Sequence, residues 1–284
     1  MLIHNAFTDQ LTIICWNIGN PSLERARKQA SWLHAQTADV FVLTECKVSD
    51  GCAFLERSFL NRGYSVEASR PEAGEYGVLI ASCFPIKSSK IEEGIDFLPF
   101  RAASALFEDW IPKLEIVSAY VPSRDASIEK ITKKRQFLAC LEKALRDNHT
   151  GASRIFCGDL NILEPRHDPH YPFFEKWEYD FYSSLADIHL VDAFRHLNPN
   201  ARDYSWVGRT GDGYRYDHAF VSSELLAGLT TCEYEHLPRN ERLSDHSALI
   251  TAIRFPGMAS LEKRRLQLGP YSEMSAESDQ LALW

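Results

Sequence analysis

Seven runs rich in Val, Ile, Phe and Tyr recur along the chain: LTIICWNI, ADVFVLTE, YGVLIAS, LEIVSAYV, SRIFCGDLNI, YDHAFVS and SALITAIRF. Several are apolar at consecutive rather than alternate positions. A strand of that kind is covered on both faces, so these runs predict sheets buried beneath other layers. Helical period lies between some of them. In PSLERARKQASWLHAQ, Leu23, Ala26, Ala30 and Leu33 share one face and Ser22 fits the N-cap. In IEKITKKRQFLACLEKALRD, Ile131, Leu138, Leu141 and Leu145 do the same. Many strands with a few amphipathic helices predict an α/β fold in which sheet packs on sheet and helices lie outside. An apolar fraction of 45% over 284 residues supplies the core. Beyond Pro256-Gly257 the pattern turns polar and irregular. The expected division is a catalytic-size domain over 1–257 and an extension over 258–284.

No apolar run approaches the roughly 20 residues that span a bilayer, so no membrane partner is expected. MLIHNAFTDQ lacks the basic and apolar regions of a signal peptide. Cys15, Cys83 and Cys157 sit in strand-like runs, with spacing that suits neither zinc nor a redox pair. Reduced, packed cysteines and a cytoplasmic location are the expectation. A net charge of -8 weighs against nucleic acid as a partner unless a local basic rim exists.

Polar residues cluster where the apolar runs end. CWNI carries Asn17, FVLTECK ends on Glu45, and SAYVPS holds Tyr120. GDLN sets Asp159 and Asn161 two residues apart, on one face if the segment stays extended. YRYDHAF carries Asp217 and His218; LSDHSA carries Asp245 and His246. Each has an ordinary reading alone: a turn amide, a solvated strand end, a turn, a capped helix, a core aromatic. Together they are best explained by convergence, because an unpaired buried carboxylate is costly.

The set fits metal-assisted phosphodiester hydrolysis. Mg²⁺, with Mn²⁺ as the alternative, takes oxygen ligands from one or two carboxylates plus water. Glu45 is the candidate direct ligand, and Asn17 and Asp245 complete or hydrogen-bond its shell. His246 contacts phosphate or activates water, with Asp217 holding its tautomer. Asp159 polarises the attacking water or serves the leaving oxygen. Asn161 and Tyr120 donate to non-bridging oxygens.

With these residues in hand, the chain resembles the endonuclease/exonuclease/phosphatase superfamily, in particular its exonuclease III-type apurinic/apyrimidinic endonucleases. The carriers are WN at Trp16-Asn17, TECK at Thr44–Lys47, YVP at Tyr120–Pro122, GDLNI at Gly158–Ile162 and SDH at Ser244–His246. LVDAFRHLNP and YSWVGRTGDGYRYDHAFVS point to the DNA-repair branch. The resemblance implies a four-layer α/β sandwich, two packed mixed β-sheets flanked by helices, with the site at one edge. It implies incision 5′ to abasic sites and trimming or unblocking of 3′ ends in double-stranded DNA. It further implies that Trp206 lines the pocket for a base-less sugar, flanked by Tyr214 and Arg215. Departures exist: Gly19 stands where an acid is common, Thr44 where Gln is, Ser123 where an amide follows YVP, and His218 where Tyr or Leu is. The alternatives are a phosphatase or phosphodiesterase of the same fold acting on RNA, phosphoinositide or phospholipid, and a non-catalytic repair scaffold.

The chain closes on DQLALW. Gln280, Leu281, Leu283 and Trp284 resemble the short peptide by which bacterial repair proteins bind the β sliding clamp. With a bacterial source this implies a nucleoid-associated protein tethered to DNA through its tail.

Overall fold

The computed structural model describes residues 10–148, 150–255, 261 and 264–271. In chain order the elements are β1 (Gln10–Asn17), α1 (Leu23–Ala35), β2 (Val40–Cys46), α2 (Asp50–Arg62), β3 (Ser65–Ala68), β4 (Gly77–Ser82), β5 (Ala102–Phe107) and β6 (Leu114–Tyr120). There follow α3 (Ile128–Asp147), β7 (Ser153–Asp159), α4 (Lys176–Ser184), β8 (Leu190–Asp192), α5 (Ala193–Leu197), β9 (Trp206–Val207) and β10 (Gly213–Tyr214). The last are β11 (Asp217–Ser222), β12 (Leu229–Glu235), α6 (Leu237–Asn240) and β13 (Ala248–Arg254).

One sheet has the order β12-β13-β1-β2-β4-β3 and the other β5-β6-β7-β11-β8. Each contains one parallel pair, β1 with β2 and β6 with β7, joined through α1 and α3 respectively. Such crossovers bring both strands out at the same edge. The inner faces meet: Cys15 of β1, Ile116 of β6, Cys157 of β7 and Ala219 of β11 belong to one core. The alternate residues Val117, Phe156 and Phe220 point the other way, onto Phe137, Leu138 and Leu141 of α3 and Phe181 of α4. On the first sheet's outer face Trp16 meets Trp32 of α1 and Phe41 meets Phe59 of α2. The result is the expected four-layer sandwich.

Helix boundaries follow local chemistry. Ser22 caps α1 by accepting the Arg25 N–H, and Ser49 caps α2 by accepting the Cys52 N–H. In α3, Leu138, Leu141 and Leu145 are buried as the period predicts. The buried side chain one turn earlier is Lys134, while Ile131 is only half-buried.

Part of the stretch beyond Gly257 packs on the domain. Leu261 is buried, and the segment 264–271 returns to the domain. Leu266 N–H donates to Cys83 O at 2.7 Å, Gly269 N–H donates to Arg62 O at 2.8 Å, and Arg265 pairs with Asp39 at 2.6 Å. The stretch reads as polar, yet Leu261, Leu268 and Tyr271 pack on the core beside these backbone hydrogen bonds and the ion pair. The peptide Gln280–Trp284 lies outside the described residues.

Candidate active site

Strand register assembles the site. Asn17 ends β1, Tyr120 ends β6 and Asp159 ends β7, with Tyr120 abreast of Asp159 and Asp217 of β11 opposite Asp159. Ile13, Cys15 and Asn17 share the inner face, as do Ile155, Cys157 and Asp159. The polar ends therefore face each other across the seam between sheets. Gly158 permits this closeness, since a Cβ there would sit 2.0 Å from Ala119 O. Glu45 sits at an irregularity in β2–β4 pairing with φ 60, a backbone turn that swings its carboxylate into the seam.

Asn17 is fully buried and its Nδ2 donates to Glu45 Oε2 at 2.9 Å and Asp159 Oδ2 at 2.8 Å. Tyr120 OH donates to the same Glu45 oxygen at 3.0 Å. Burial and the Glu45 charge push the Tyr120 phenol far above its ordinary range, so it acts as a neutral donor. His246 Nδ1 donates to Asp217 Oδ2 at 2.7 Å, and its Nε2 lies 3.9 Å from Asp159 Oδ2. Burial pulls the His246 imidazole down, but Asp217 outweighs it and holds the pKa up at about 10. Burial, with Asp217 next, pushes the Asp159 carboxyl up to about 7. These residues open on a cleft of 380 Å³ whose walls include Tyr76, Arg124, Lys134, Phe173, Phe174, Trp206 and Tyr216.

The structure brings Asn17, Glu45, Tyr120, Asp159, Asn161, Asp217 and His246 together, and it revises several roles. Asn17 does not present its oxygen for a metal: Oδ1 accepts the Gly19 N–H at 2.9 Å, and the amide nitrogen faces the carboxylates. Asn161 does not share a strand face with Asp159. β7 ends at Asp159, and Asn161 takes φ 49 in a turn where its N–H donates to Asp159 Oδ1 at 3.0 Å. Its Nδ2 donates to Val121 O at 3.0 Å and approaches Asp159 Oδ2 at 3.3 Å, so it steadies that carboxylate. Asp245 is exposed at the cleft mouth and accepts from Trp206 Nε1 at 3.0 Å.

Arg215 is not part of the pocket. It is fully buried, with Nε 3.1 Å from Glu164 and Nη2 2.6 Å from Asp192. The alternation that puts Tyr214 and Tyr216 on one side sends Arg215 to the other. Tyr214 flanks Trp206 with ring centroids 5.4 Å apart and stacks on Tyr216 at 5.2 Å, while Tyr216 and Trp206 are the members of this group that line the cleft. His218 is buried, its Nε2 3.1 Å from Ile162 O, and serves the fold.

Reading the sequence missed Lys134, Arg124, Tyr76, Tyr216 and Phe174. Tyr76 meets Tyr120 edge-on at 5.1 Å and carries Lys47 over its ring at 4.1 Å. Only Tyr216 had a readable signal, its alternation with Tyr214.

The donor set fits a divalent cation. Glu45 and Asp159 point at one another through a single neutral amide. The nearby cations Arg124 and Lys134 are committed to Glu178, at 2.5 Å each. Asp159, Asp217 and His246 also offer donor atoms within 4.8 Å of one another. That group is a proton-sharing chain, since the Nδ1–Oδ2 hydrogen bond already occupies it.

The residues matched by the family model called Endonuclease/Exonuclease/phosphatase family run from 14 to 246. The chain belongs to that family. Within it the chain is of the exonuclease III type, a phosphodiesterase branch. It is 28% identical over 219 residues to exodeoxyribonuclease III of Haemophilus influenzae, covering 66% of this chain and 79% of that protein. It is 24% identical over 242 residues to a Bacillus subtilis exodeoxyribonuclease, covering 76% and 89%. Among solved structures, an AP endonuclease from Archaeoglobus fulgidus superposes with TM-score 0.72 at 25% identity, covering 86% of this chain and 99% of that one. The 3′ phosphatase NExo from Neisseria, bound to a product DNA hairpin, gives 0.71 at 24%, covering 85% and 98%.

Proposed function

We propose that this chain is a divalent-metal-dependent DNA-repair nuclease that hydrolyses phosphodiesters 5′ to abasic sites and removes 3′-terminal nucleotides or blocks from duplex DNA. The observation that carries the reading is the chain of groups from Asp217 through His246 to Asp159, set against Glu45 beneath an aromatic wall. The names of the relatives support the DNA substrate.

The residues divide the work as follows. Asp159, raised toward neutrality and aligned by Asn17 and Asn161, takes a proton from the attacking water. The water oxygen bonds to phosphorus as the P–O3′ bond breaks, and the departing oxygen takes a proton from solvent water to become the 3′-hydroxyl. His246, held cationic by Asp217, donates from Nε2 to a non-bridging oxygen and offsets its growing charge. Tyr120 donates to Glu45 and keeps that carboxylate turned inward. Glu45, with Asp245 at the mouth, would hold Mg²⁺ or Mn²⁺, which would neutralise phosphate charge. Trp206 and Tyr216 offer an apolar wall that favours a base-less sugar over an intact nucleotide at an internal site.

The test is a duplex carrying one abasic analogue and one recessed 3′ end, incubated with Mg²⁺ and with EDTA. Cleavage at both positions in Mg²⁺ alone is expected; no cleavage of either sinks the reading. Glu45→Ala should lose most activity at low Mg²⁺ and regain part of it as Mg²⁺ rises. Asp159→Ala should lose turnover without that rescue. An unchanged Mg²⁺ titration for Glu45→Ala would remove Glu45 from the metal site.

The peptide at Gln280, Leu281, Leu283 and Trp284 supports a second partner, a β sliding clamp, and with it work at the nucleoid. Binding of the purified chain to a bacterial clamp, abolished by deletion of residues 280–284, is the expected result. Among the described residues no helix is long and apolar enough to cross a membrane.

A further inference from the structure

The fold brings cysteines together in two places. Cys15 and Cys157 hydrogen-bond across the seam between the sheets, at 2% and 1% exposure, sealed in the core. Cys46 and Cys52 also hydrogen-bond to one another, but at the surface. Cys46 ends β2 and is half-buried, and Cys52 lies in the first turn of α2. Both line an open groove of 450 Å³ walled by Val48, Glu56, Arg70 and Pro71. The Lys47 N–H donates to Cys52 Sγ at 3.3 Å. The Cys46 hydrogen bond lowers the Cys52 thiol, burial opposes it, and bonds from Ser49 and the Lys47 N–H lower it further, to about 6. A sulfur so placed is a nucleophile, whereas a thiol sealed in apolar surroundings is inert.

The same segment positions Glu45. Cys46 follows it directly in the chain. Asn20 sets its side-chain oxygen 3.7 Å from Cys52 Sγ and donates its N–H to Glu45 O at 3.1 Å. Glu45 holds φ 60, so the direction of its carboxylate depends on the backbone at either side.

We propose that Cys46 and Cys52 form a reversible disulfide under hydroperoxide, and that this bond draws Glu45 away from the cation and weakens the metal site. It rests on the reading of Glu45 as metal ligand. The Cys52 sulfur attacks the O–O bond of the peroxide. An S–O bond forms, the O–O bond breaks, and the departing oxygen leaves as water or alcohol with the thiol proton. The Cys46 sulfur then attacks Cys52. The S–S bond forms, the S–O bond breaks, and hydroxide takes the Cys46 proton to leave as water. The two thiols lose two electrons in total and the peroxide gains them. A disulfide needs its sulfurs at about 2.05 Å, closer than a hydrogen-bonded contact. The start of α2 has no room to yield, since a Cβ on Gly51 would sit 2.0 Å from Pro21 O. The end of β2 yields instead, because its pairing with β4 is already irregular between Leu43 and Cys46.

The test treats the full chain with hydrogen peroxide in EDTA, removes both, and digests with trypsin without reductant. Trypsin cuts after Lys47, so the disulfide would join peptide 29–47 to peptide 48–57, which hold no other cysteine. That linked pair is expected, and dithiothreitol should release it. Mn²⁺ binding, read from the paramagnetic resonance of the free ion, should weaken about ten- to a hundredfold on oxidation. The Mg²⁺ needed to cleave an abasic duplex should rise by the same factor and return with dithiothreitol. Cys52→Ser should keep the untreated activity and show neither change after peroxide. Cys46→Ser should stop at the sulfenic acid, which dimedone captures on peptide 48–57. Cys140→Ser, on α3, should respond as the wild type does. No link, or one joining the peptides of Cys15 and Cys157 instead, overturns the site. A link with unchanged Mn²⁺ affinity overturns its coupling to Glu45. Linked peptides and weakened Mn²⁺ binding in a protein that cleaves no duplex would sink the nuclease reading and leave this inference standing.

Discussion

Asn17 gives both hydrogens of its amide nitrogen to carboxylates on opposite sheets and takes one from Gly19. A carboxylate or hydroxyl there would fail, since the former adds repulsion and the latter has one hydrogen to give. His246 is the other residue whose role the surroundings dictate. Its pKa, lowered by burial but raised further by Asp217, stands at about 10, so the imidazolium persists through neutral pH. For a raised group the linked stability is fully present below the unfolded value and is lost as pH rises through the folded one. Activity that uses the cation follows the same limb. Asp217→Asn removes the anion that sustains it, so the alkaline limb of kcat/KM should move to lower pH. Turnover at neutral pH should fall by about 10² to 10⁴. A variant with an unmoved alkaline limb would show that Asp217 only packs.

Across elements, α3 and α4 reach the site through one buried charge cluster. Lys134 of α3 donates to Asn161 O at 2.6 Å and to Glu178 of α4 at 2.5 Å. Glu178 also accepts from Arg124 at 2.5 Å and from the Glu175 N–H at 2.9 Å, closing the capping box of α4. The turn that bears Asn161 is thus braced from two helices. Little of this was legible. The apolar runs exposed β1, β2, β4, β6, β7, β11 and β13, because a strand buried on both faces writes itself in consecutive apolar residues. The residues at their ends were legible as a set: Glu45 or Asp159 alone reads as a solvated strand end or a turn, but several such groups after buried runs are best explained by convergence. Lys134 sits in KITKKR, where a buried lysine looks like a solvated one, and its partner lies 44 residues on. Arg215 misled in the opposite sense, since a charged residue in a polar loop reads as exposed. Glu178→Gln should leave two buried cations short of a counter-charge and lower stability by about 3 to 5 kcal/mol. A denaturant midpoint within experimental error of wild type would mean that the cluster is solvated or redundant.

At the scale of the whole molecule, the segment 264–271 closes the fold at the end remote from the chemistry. α1 begins near Gly19 and carries His34 in its last turn, a run of 13 residues from Leu23 to Ala35 and about 20 Å at 1.5 Å per residue. At that far end Arg62 Nε donates to Gly269 O at 3.0 Å, and the His34 ring lies 4.6 Å from Tyr271. Arg62 Nη1 sits 2.8 Å from His34 Nδ1 and can only donate, while Nε2 faces Ser58 Oγ at 3.1 Å. The ring is therefore neutral with its proton on Nε2. Burial, and then the Arg62 charge, lowers its pKa to about 4. For a lowered group the contribution is fully present above the unfolded value near 6.5. It declines as pH falls toward 4, because the unfolded chain takes up the proton first. The ring is partly open to solvent, so the effect is a modest slope. Two chains separate the cause: the full protein and one ending at Gly257. The full chain's urea midpoint should fall between pH 7 and pH 5. The shortened chain should start lower, having lost the contacts of Leu261, Arg265, Gly269 and Tyr271. Its midpoint should then vary less over the same range, because His34 regains water and its pKa returns toward the ordinary value. Cleavage of short duplexes should survive truncation, since the segment 264–271 makes no contact with the residues of the seam. Equal pH slopes for the two chains would assign the dependence to groups other than His34.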